Sequence, residues 1–300
     1  MIYKKFPINR IIIEGADLAG KSTAYRQIHN LTDYQWNIVD RSTLSRLAYA
    51  EMYGRDKEHD EYLFHCELSD MNNRVIVLHP PIEEVISRYN ERGDDIQDEN
   101  SLRKLHGIFE RKIMGIQGFP NVHVIRSENP HDGINGVVSK ILQEENRSVE
   151  DISQMIVRFV DNTPEKEAFP LSFDFYDDGY FEDVDESSIT AIPEELAYFQ
   201  RIRDSLMRHI RYEMEENGET RWSRRLIHTN DSCLSMFHAM FRGGTLDCNA
   251  TIRSSNVKDL LENDIKFIHL LGRDVFEYLK LTPVVNRVRY RVRINSAHIL

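Results

Sequence analysis

Over the first half of the chain, short apolar runs alternate with stretches in which apolar residues recur every three or four positions. Ile11-Ile12-Ile13 and Val75-Ile76-Val77-Leu78 are continuous runs of the kind that form strands buried on both faces. The pattern predicts strands over 10–14, 36–40, 74–79 and 121–126. Helices are predicted over 21–31, within 42–72, and over 81–92, 98–117 and 133–145. Alternation of this kind predicts an α/β domain over 1–145 built on a parallel sheet.

The pattern changes after residue 145. Between Asp174 and Glu186 the chain carries seven acidic residues and no basic one, with Phe173, Phe175, Tyr176, Tyr180 and Phe181 interspersed. This composition predicts an acidic, aromatic connector over 146–190 that docks on a surface. A second domain, 191–300, mixes helices near 194–216 and 258–280 with strands near 234–241, 246–253 and 284–294, an α+β order. In the last of these strands Arg287, Arg289, Arg291 and Arg293 alternate with Val288, Tyr290, Val292 and Ile294, giving one basic and one apolar face. Three occupants fit the basic face: the acidic connector, a polyphosphate or partner subunit, or DNA. A formal net charge of -11 favours an intramolecular or subunit contact.

Composition narrows the class further. With 41% hydrophobic residues the chain has enough apolar material for two modest cores, and no stretch is long and apolar enough to span a bilayer. The start, Met1-Ile2-Tyr3-Lys4-Lys5-Phe6-Pro7, lacks the apolar centre of a secretion signal, and Cys66, Cys233 and Cys248 have no metal-ligand spacing. A cytoplasmic location is expected.

The chemistry is concentrated where the first strand meets the first helix. Gly15-Ala16-Asp17-Leu18-Ala19-Gly20-Lys21-Ser22, followed by Thr23, is G-x-x-x-x-G-K-S in its required strand–loop–helix setting. Glycines let main-chain N–H groups turn inward around phosphate oxygens, and the helix adds its positive end. Lys21 is placed to reach the β- and γ-phosphates of ATP, and the Ser22 hydroxyl to ligate Mg²⁺.

Further residues narrow the family. The loop Glu14-Gly15-Ala16-Asp17 with Gly20-Lys21-Ser22-Thr23, the motif Asp40-Arg41-Ser42, and His79-Pro80-Pro81 with Glu84, Arg88, Arg92 and Gly93 resemble the thymidylate kinase and deoxynucleoside kinase branch of P-loop kinases. The resemblance implies that Asp40 helps place Mg²⁺, that Asp17 and Arg41 face a deoxypyrimidine nucleotide acceptor, and that Arg88 and Arg92 close over the transferring phosphoryl group. Arg46, Tyr49, Tyr53, Arg55 and Phe64 are the acceptor-site candidates within 43–70.

The second domain resembles the substrate-binding half of thymidylate synthases and the related deoxypyrimidine hydroxymethylases. Cys248 follows Cys233 by fifteen residues and Arg253 follows Cys248 by five, which are that family's intervals. The resemblance makes Cys233 the nucleophile position, Arg253 and Ser254 the phosphate site, and His298 the ribose contact. It makes Asp264 the base-reading residue, with a carboxyl that suits cytosine N4–H₂. Arg224 and Arg225 match a pair that reaches the neighbouring subunit's phosphate, which implies a homodimer. Ser232, Leu234, Asn256 and Leu300 depart from the family pattern, and its folate-binding half has no match. One-carbon transfer from methylene-tetrahydrofolate and a non-catalytic binding or dimerising module both stay open. The expected whole is an ATP- and Mg²⁺-dependent kinase of a deoxypyrimidine nucleotide fused to a partial synthase-like domain. The alternative acceptor is 5-hydroxymethyluracil within DNA.

Overall fold

The structure is a computed structural model and describes residues 3–93, 96–177, 189, 193–217, 227–229, 233–279 and 287–300. It contains two compact units, Ile8–Glu145 and a second that joins Met1–Pro7 to Asn146–Leu300.

β1 (Tyr3–Lys5) belongs to the second unit. In Ile8–Glu145 four parallel strands lie in the order β3 (Ile38–Asp40), β2 (Arg10–Glu14), β4 (Asn73–Leu78) and β5 (Val122–Ile125). β4 is buried at every position, which is why its sequence reads as an unbroken apolar run. The helices are α1 (Lys21–Leu31), α2 (Thr43–Met52), α3 (Glu58–Ser69), α4 (Ile82–Arg92), α5 (Glu99–Ile116) and α6 (Pro130–Glu144). Ile11, Ile13, Ile76 and Leu78 of the sheet pack with Ala24 and Ile28 of α1 and with Ile134, Val138 and Ile141 of α6. Because β3 and β4 lie on opposite sides of β2, the chain reverses its winding there, and a crevice opens at the carboxyl end of β2.

The second unit is built on an eight-stranded sheet. Its main path runs β6 (Asn146–Ser148), β1, β8 (Leu171–Asp177), β12 (Arg287–His298), β11 (Thr245–Asn256), β10 (Leu234–Arg242) and β9 (Ile227–Thr229). β7 (Glu167–Ala168) pairs with the end of β12. β11 and β12 run parallel, joined through α9 (Leu261–Tyr278), as a parallel pair requires, whereas the neighbouring pairs are antiparallel, β10 with β11 as consecutive strands and β12 with β8 across a long sequence separation. The remaining helices are α7 (Val149–Asp161) and α8 (Pro193–Asn217). Alternate residues of β8, β11 and β12 are buried, Phe173, Phe175, Leu246, Cys248, Val288, Tyr290 and Val292 among them. Phe175 stacks on Tyr290 at 4.6 Å, and the Tyr290 hydroxyl donates to the His269 carbonyl of α9 at 3.2 Å. Within this core a His269 ring nitrogen and the Asp177 carboxylate share a buried hydrogen bond.

The stretch expected to be a connector is largely regular structure. Residues 146–177 supply β6, α7, β7 and β8, and α7 opens on a capping box in which the Ser148 and Asp151 side chains each accept from the other's main-chain amide. β8 alternates Leu171, Phe173, Phe175 and Asp177 inward with Ser172, Asp174 and Tyr176 outward. Its acidic residues had hidden a period of two. Tyr180 and Phe181 lie outside the described residues. The first seven residues also depart from the expected division at 145, because Tyr3, Lys4 and Lys5 pair with Ser148, Arg147 and Asn146.

Gly272, in the middle of α9, marks a close approach: an added Cβ would lie 2.4 Å from the Tyr290 hydroxyl and 2.6 Å from its ring. Alanine normally stabilises a helix interior by about 1 kcal/mol relative to glycine. Here Tyr290 is fully buried and has nowhere to go, so Gly272→Ala is expected to destabilise the second unit by about 1–3 kcal/mol. Urea unfolding followed by circular dichroism measures it, and a stabilised variant would refute this packing.

Candidate functional site

The crevice at the carboxyl end of β2 is lined by the phosphate-binding loop. Gly15 has φ +144°, and a Cβ there would stand 2.4 Å from the Leu78 carbonyl oxygen of β4, so the loop passes where only glycine fits. Gly20 caps α1 with φ +100°. Leu18 and Arg41 also hold positive φ, +61° and +64°, backbone states that side chains other than glycine seldom adopt. Both residues line the crevice.

Lys21 is 6% exposed, and its Nζ donates to the Gly15 carbonyl at 2.8 Å and the Ala16 carbonyl at 2.6 Å. Desolvation by burial, joined by the nearby Arg41 charge, pulls its pKa down from the usual lysine value to about 8. Around it is a cavity of about 500 Å³ lined by Leu18, Gly20, Lys21, Ser22, Thr23, Arg26, Asp40, Arg41, Glu84, Arg88, Arg92, Glu128, Asn129 and His131. Ser22 and Asp40 are exposed to it, oxygen donors of the type that holds Mg²⁺ together with substrate phosphates.

Arg41 also lines a second cavity of about 540 Å³, with Ser42, Ser45, Arg46, Tyr49, Ala50, Arg55, Asp56 and Asp60. Its guanidinium donates to the Asp17 carboxylate, which also accepts from the Tyr49 hydroxyl, and it lies 5.9 Å from the Tyr49 ring centre. Burial and the Asp17 carboxylate together push the Tyr49 phenol well above its ordinary value. The network ties the loop to α2. Glu14, at the end of β2, is buried and accepts from the Ser42 amide at 2.8 Å and from the Ser45 hydroxyl. Desolvation raises its pKa despite these bonds. From α3, Glu67 accepts from the Ser42 and Thr43 hydroxyls, so carboxylates satisfy the exposed donors at the start of α2.

Among the acceptor-site candidates, Arg46, Tyr49 and Arg55 line the second cavity. Tyr49 is bound through its hydroxyl to Asp17, and Arg46 pairs with Asp60. Tyr53 stacks on Tyr49 at 6.3 Å and does not line that cavity. Arg88 lines the first cavity together with Arg92. Its guanidinium is committed to Glu84 at 2.9 Å, to the Leu18 carbonyl at 2.9 Å and to the Glu128 carbonyl at 2.8 Å, so it braces the loop from α4. Arg92, one turn on, is exposed at the cavity wall. The motif reading missed Arg26, Glu128, Asn129 and His131. The signal for Asn129 was present, since Asn129-Pro130 is a helix start, and the Asn129 side chain accepts from the His131 amide at 3.1 Å.

In the second unit the singled-out residues gather at the carboxyl ends of β11 and β12. The Arg253 amide donates to the Cys233 carbonyl at 2.7 Å, Ser254 pairs with Ser296, and Asn256 pairs with His298. Cys233 is exposed. Arg224 and Arg225 lie outside the described residues. Asp264, in the first turn of α9, accepts from the Ser255 hydroxyl at 2.9 Å. Enclosure of its carboxyl raises its pKa to about 7, with the Glu195 charge adding to the effect.

No protein-family model and no curated protein matches the chain. Solved structures match over its N-terminal half. Deoxyadenosine kinase from M. mycoides, with products dCMP and dCDP bound, is 17% identical over 45% of this chain and 98% of its own, with a TM-score of 0.31. The same enzyme with bound dCTP gives 16%, 45%, 99% and 0.33. The YorR protein from Bacillus subtilis, in complex with phosphorylated GDP, is 16% identical over 47% of this chain and 100% of its own, with a TM-score of 0.36. No helix among the described residues is long and apolar enough to cross a membrane. No group of three or more His, Cys, Asp or Glu side chains among them forms a metal site.

Asp264 yields a pH prediction. A carboxyl that titrates near 7 in the folded state and near 3.8 unfolded holds its proton more tightly when folded, so stability falls as pH rises from about 4 through 7. Asp264→Asn, which keeps the acceptor for Ser255, is expected to raise stability at pH 8 by about 1–3 kcal/mol and to change it much less at pH 4, near the ordinary carboxylate value. Calorimetric melting at the two pH values measures this, and equal shifts at both would contradict it.

Proposed function

We propose that the chain is a nucleotide kinase that moves the γ-phosphoryl group of ATP, with Mg²⁺, to a deoxypyrimidine nucleotide such as dTMP or a 5-hydroxymethylpyrimidine deoxynucleotide. The reading is carried by one observation: Arg41 lines both the phosphate-loop cavity and the second cavity. A donor bound along the loop and an acceptor bound against α2 would meet at this guanidinium. Phosphoryl transfer needs in-line placement and cations around the moving group more than covalent help from the protein.

In this reading the loop amides of 15–23 cradle the donor phosphates, and Lys21 leaves its carbonyl partners for the β- and γ-phosphate oxygens. Ser22 and Asp40 would hold Mg²⁺, which supplies charge neutralisation between the phosphates. Arg41, fixed by Asp17 and Tyr49, holds the acceptor phosphate bidentately, and Arg92 approaches from α4. Arg88 keeps the loop at its working curvature through the Leu18 carbonyl. The arginines Arg41, Arg46 and Arg55 around the second cavity favour a phosphorylated acceptor over a neutral nucleoside. The second unit, through Cys233, Arg253, Ser254, Asp264 and His298, is proposed as a pyrimidine-nucleotide-binding module, paired in a homodimer.

Incubating the purified protein with labelled ATP and a panel of deoxynucleosides, their monophosphates and hydroxymethyluracil-containing DNA tests the reading. Label is expected in a pyrimidine monophosphate, with the rate lowered at least about 100-fold by Lys21→Ala. Label in a purine nucleoside or in the DNA would replace the acceptor named here, and no labelled acceptor at all would refute the kinase reading.

A further inference from the structure

Along β12 the expected intramolecular acidic contact is made by Asp174 of β8, which pairs with Arg289. A different group of charges in the second unit encloses a cavity. Glu150, Ser153, Gln154, Val157 and Arg158 recur at the three- and four-residue spacing that puts side chains on one face of a helix, here α7. That face and the start of α9 with the turn before it, through Val257, Lys258 and Glu262, line a cavity of about 360 Å³. Hydrogen bonds fix the turn: the Val257 amide donates to the His298 carbonyl and the Leu260 amide to the Asn256 carbonyl, both at 2.9 Å. Among the described residues, none of Cys233, Arg253, Ser254, Asp264 and His298 lines this cavity.

The wall holds polar groups that the fold leaves unsatisfied. Ser153 is 7% exposed, and neither its hydroxyl nor the enclosed Glu150 Oε2 has a hydrogen-bond partner among the described residues. An enclosed polar atom without a partner has lost its hydration with nothing in return, so two on one wall mark a place where hydrogen-bond donors belong. The side chains of Arg158 and Lys258 are exposed and make no ion pair among the described residues. Glu262 is offset by Lys266, whose Nζ donates to it at 2.6 Å. Arg158 and Lys258 therefore face Glu150 alone, which leaves the wall one net positive charge within a chain of net charge -11.

We propose that this cavity binds a ribose 5-phosphate group, either as the free sugar phosphate or within a ribonucleotide. The phosphate dianion matches the two cations, Arg158 and Lys258, where a carboxylate would match only one. Vicinal sugar hydroxyls donate to the Glu150 carboxylate, the chemistry by which an acidic side chain recognises a ribose 2′-hydroxyl, and Ser153 exchanges a hydrogen bond with the same edge. Val157 and Val257 supply apolar wall for the C–H faces of the sugar. Arg158 lies two turns beyond Glu150, about 12 Å along the helix axis, and helical side chains lean toward the N-terminus, which shortens the span between the two groups. The proposal is independent of phosphoryl transfer, because binding here uses neither the phosphate loop nor Mg²⁺.

Isothermal titration of the full chain with ribose 5-phosphate, 2-deoxyribose 5-phosphate, inorganic phosphate, UMP and AMP tests it. Ribose 5-phosphate is expected to bind at millimolar concentration or below, and at least about tenfold more tightly than the 2-deoxy sugar or phosphate alone. R158E/K258E should weaken that binding at least about tenfold, and K258E, at an exposed turn position, should act in the same direction by itself. Glu150→Ala should erase the preference for ribose over 2-deoxyribose, while Lys21→Ala leaves it intact. UMP or AMP binding more tightly than ribose 5-phosphate, and weakened by R158E/K258E, assigns the site to a ribonucleotide; the reverse order assigns it to the free sugar phosphate. Circular dichroism and melting temperature establish that each variant is folded. The proposal is overturned if neither ribose 5-phosphate nor a ribonucleotide binds, if folded R158E/K258E and K258E bind undiminished, or if binding disappears in Lys21→Ala.

Discussion

A buried ammonium group facing main-chain carbonyls is the constraint on which the first unit's site depends. Lys21 has given up most of its water and is held at 2.8 and 2.6 Å by the carbonyls of Gly15 and Ala16. Carbonyl dipoles compensate a full charge only in part, and the drop of its pKa to about 8 reflects that shortfall. A polyphosphate bound in the proposed mode would restore the missing counter-charge. The loop must stay curved to keep the lysine there, and three features curve it: the missing Cβ of Gly15 against Leu78, the left-handed backbone of Leu18 and Gly20, and the Arg88 guanidinium gripping the Leu18 carbonyl.

From this cradle the arrangement extends outward by carboxylates rather than by apolar contact. Glu14 and Glu67 hold the start of α2, and Asp17 joins Arg41 to Tyr49. Each carboxylate sits where donors converge, so each loses less by burial than an isolated charge would. The consequence is a rigid seam between the loop and α2, with Arg41 at the boundary of the two cavities. Glu14 is fully inside the sheet's end and Lys21 close behind it, which leaves the loop and α2 little freedom to drift apart.

How much of this could be read from the sequence depended on range. The loop was legible because its signature is local: strand, glycine turn, lysine and helix occur within fourteen residues, and Gly15, Lys21 and Ser22 stand where the pattern requires. The apolar run of β4 and the start of α4 at Pro81 were legible for the same reason, whereas the start of α6 after Asn129 was placed three residues too late. β8 was not, because Asp174 and Asp177 gave the segment the composition of a linker while Phe173 and Phe175 kept the alternation of a strand. Nor could spacing show that Arg88 reaches back seventy residues to Leu18, or that Tyr49 spends its hydroxyl on Asp17. Those bonds are made by the fold. The pairing of the first strand with residues 146–148 is non-local in the same way.

The central claim is that burial lowers the Lys21 pKa and that a polyphosphate bound at the loop would raise it again. Isothermal titration of Mg·ATP at about pH 9, one unit above the lysine's value, in buffers of different ionisation enthalpy reports the proton taken up on binding. The account predicts uptake approaching one proton per site, lost in Lys21→Ala. Binding without proton uptake, or no binding heat at all, would contradict it.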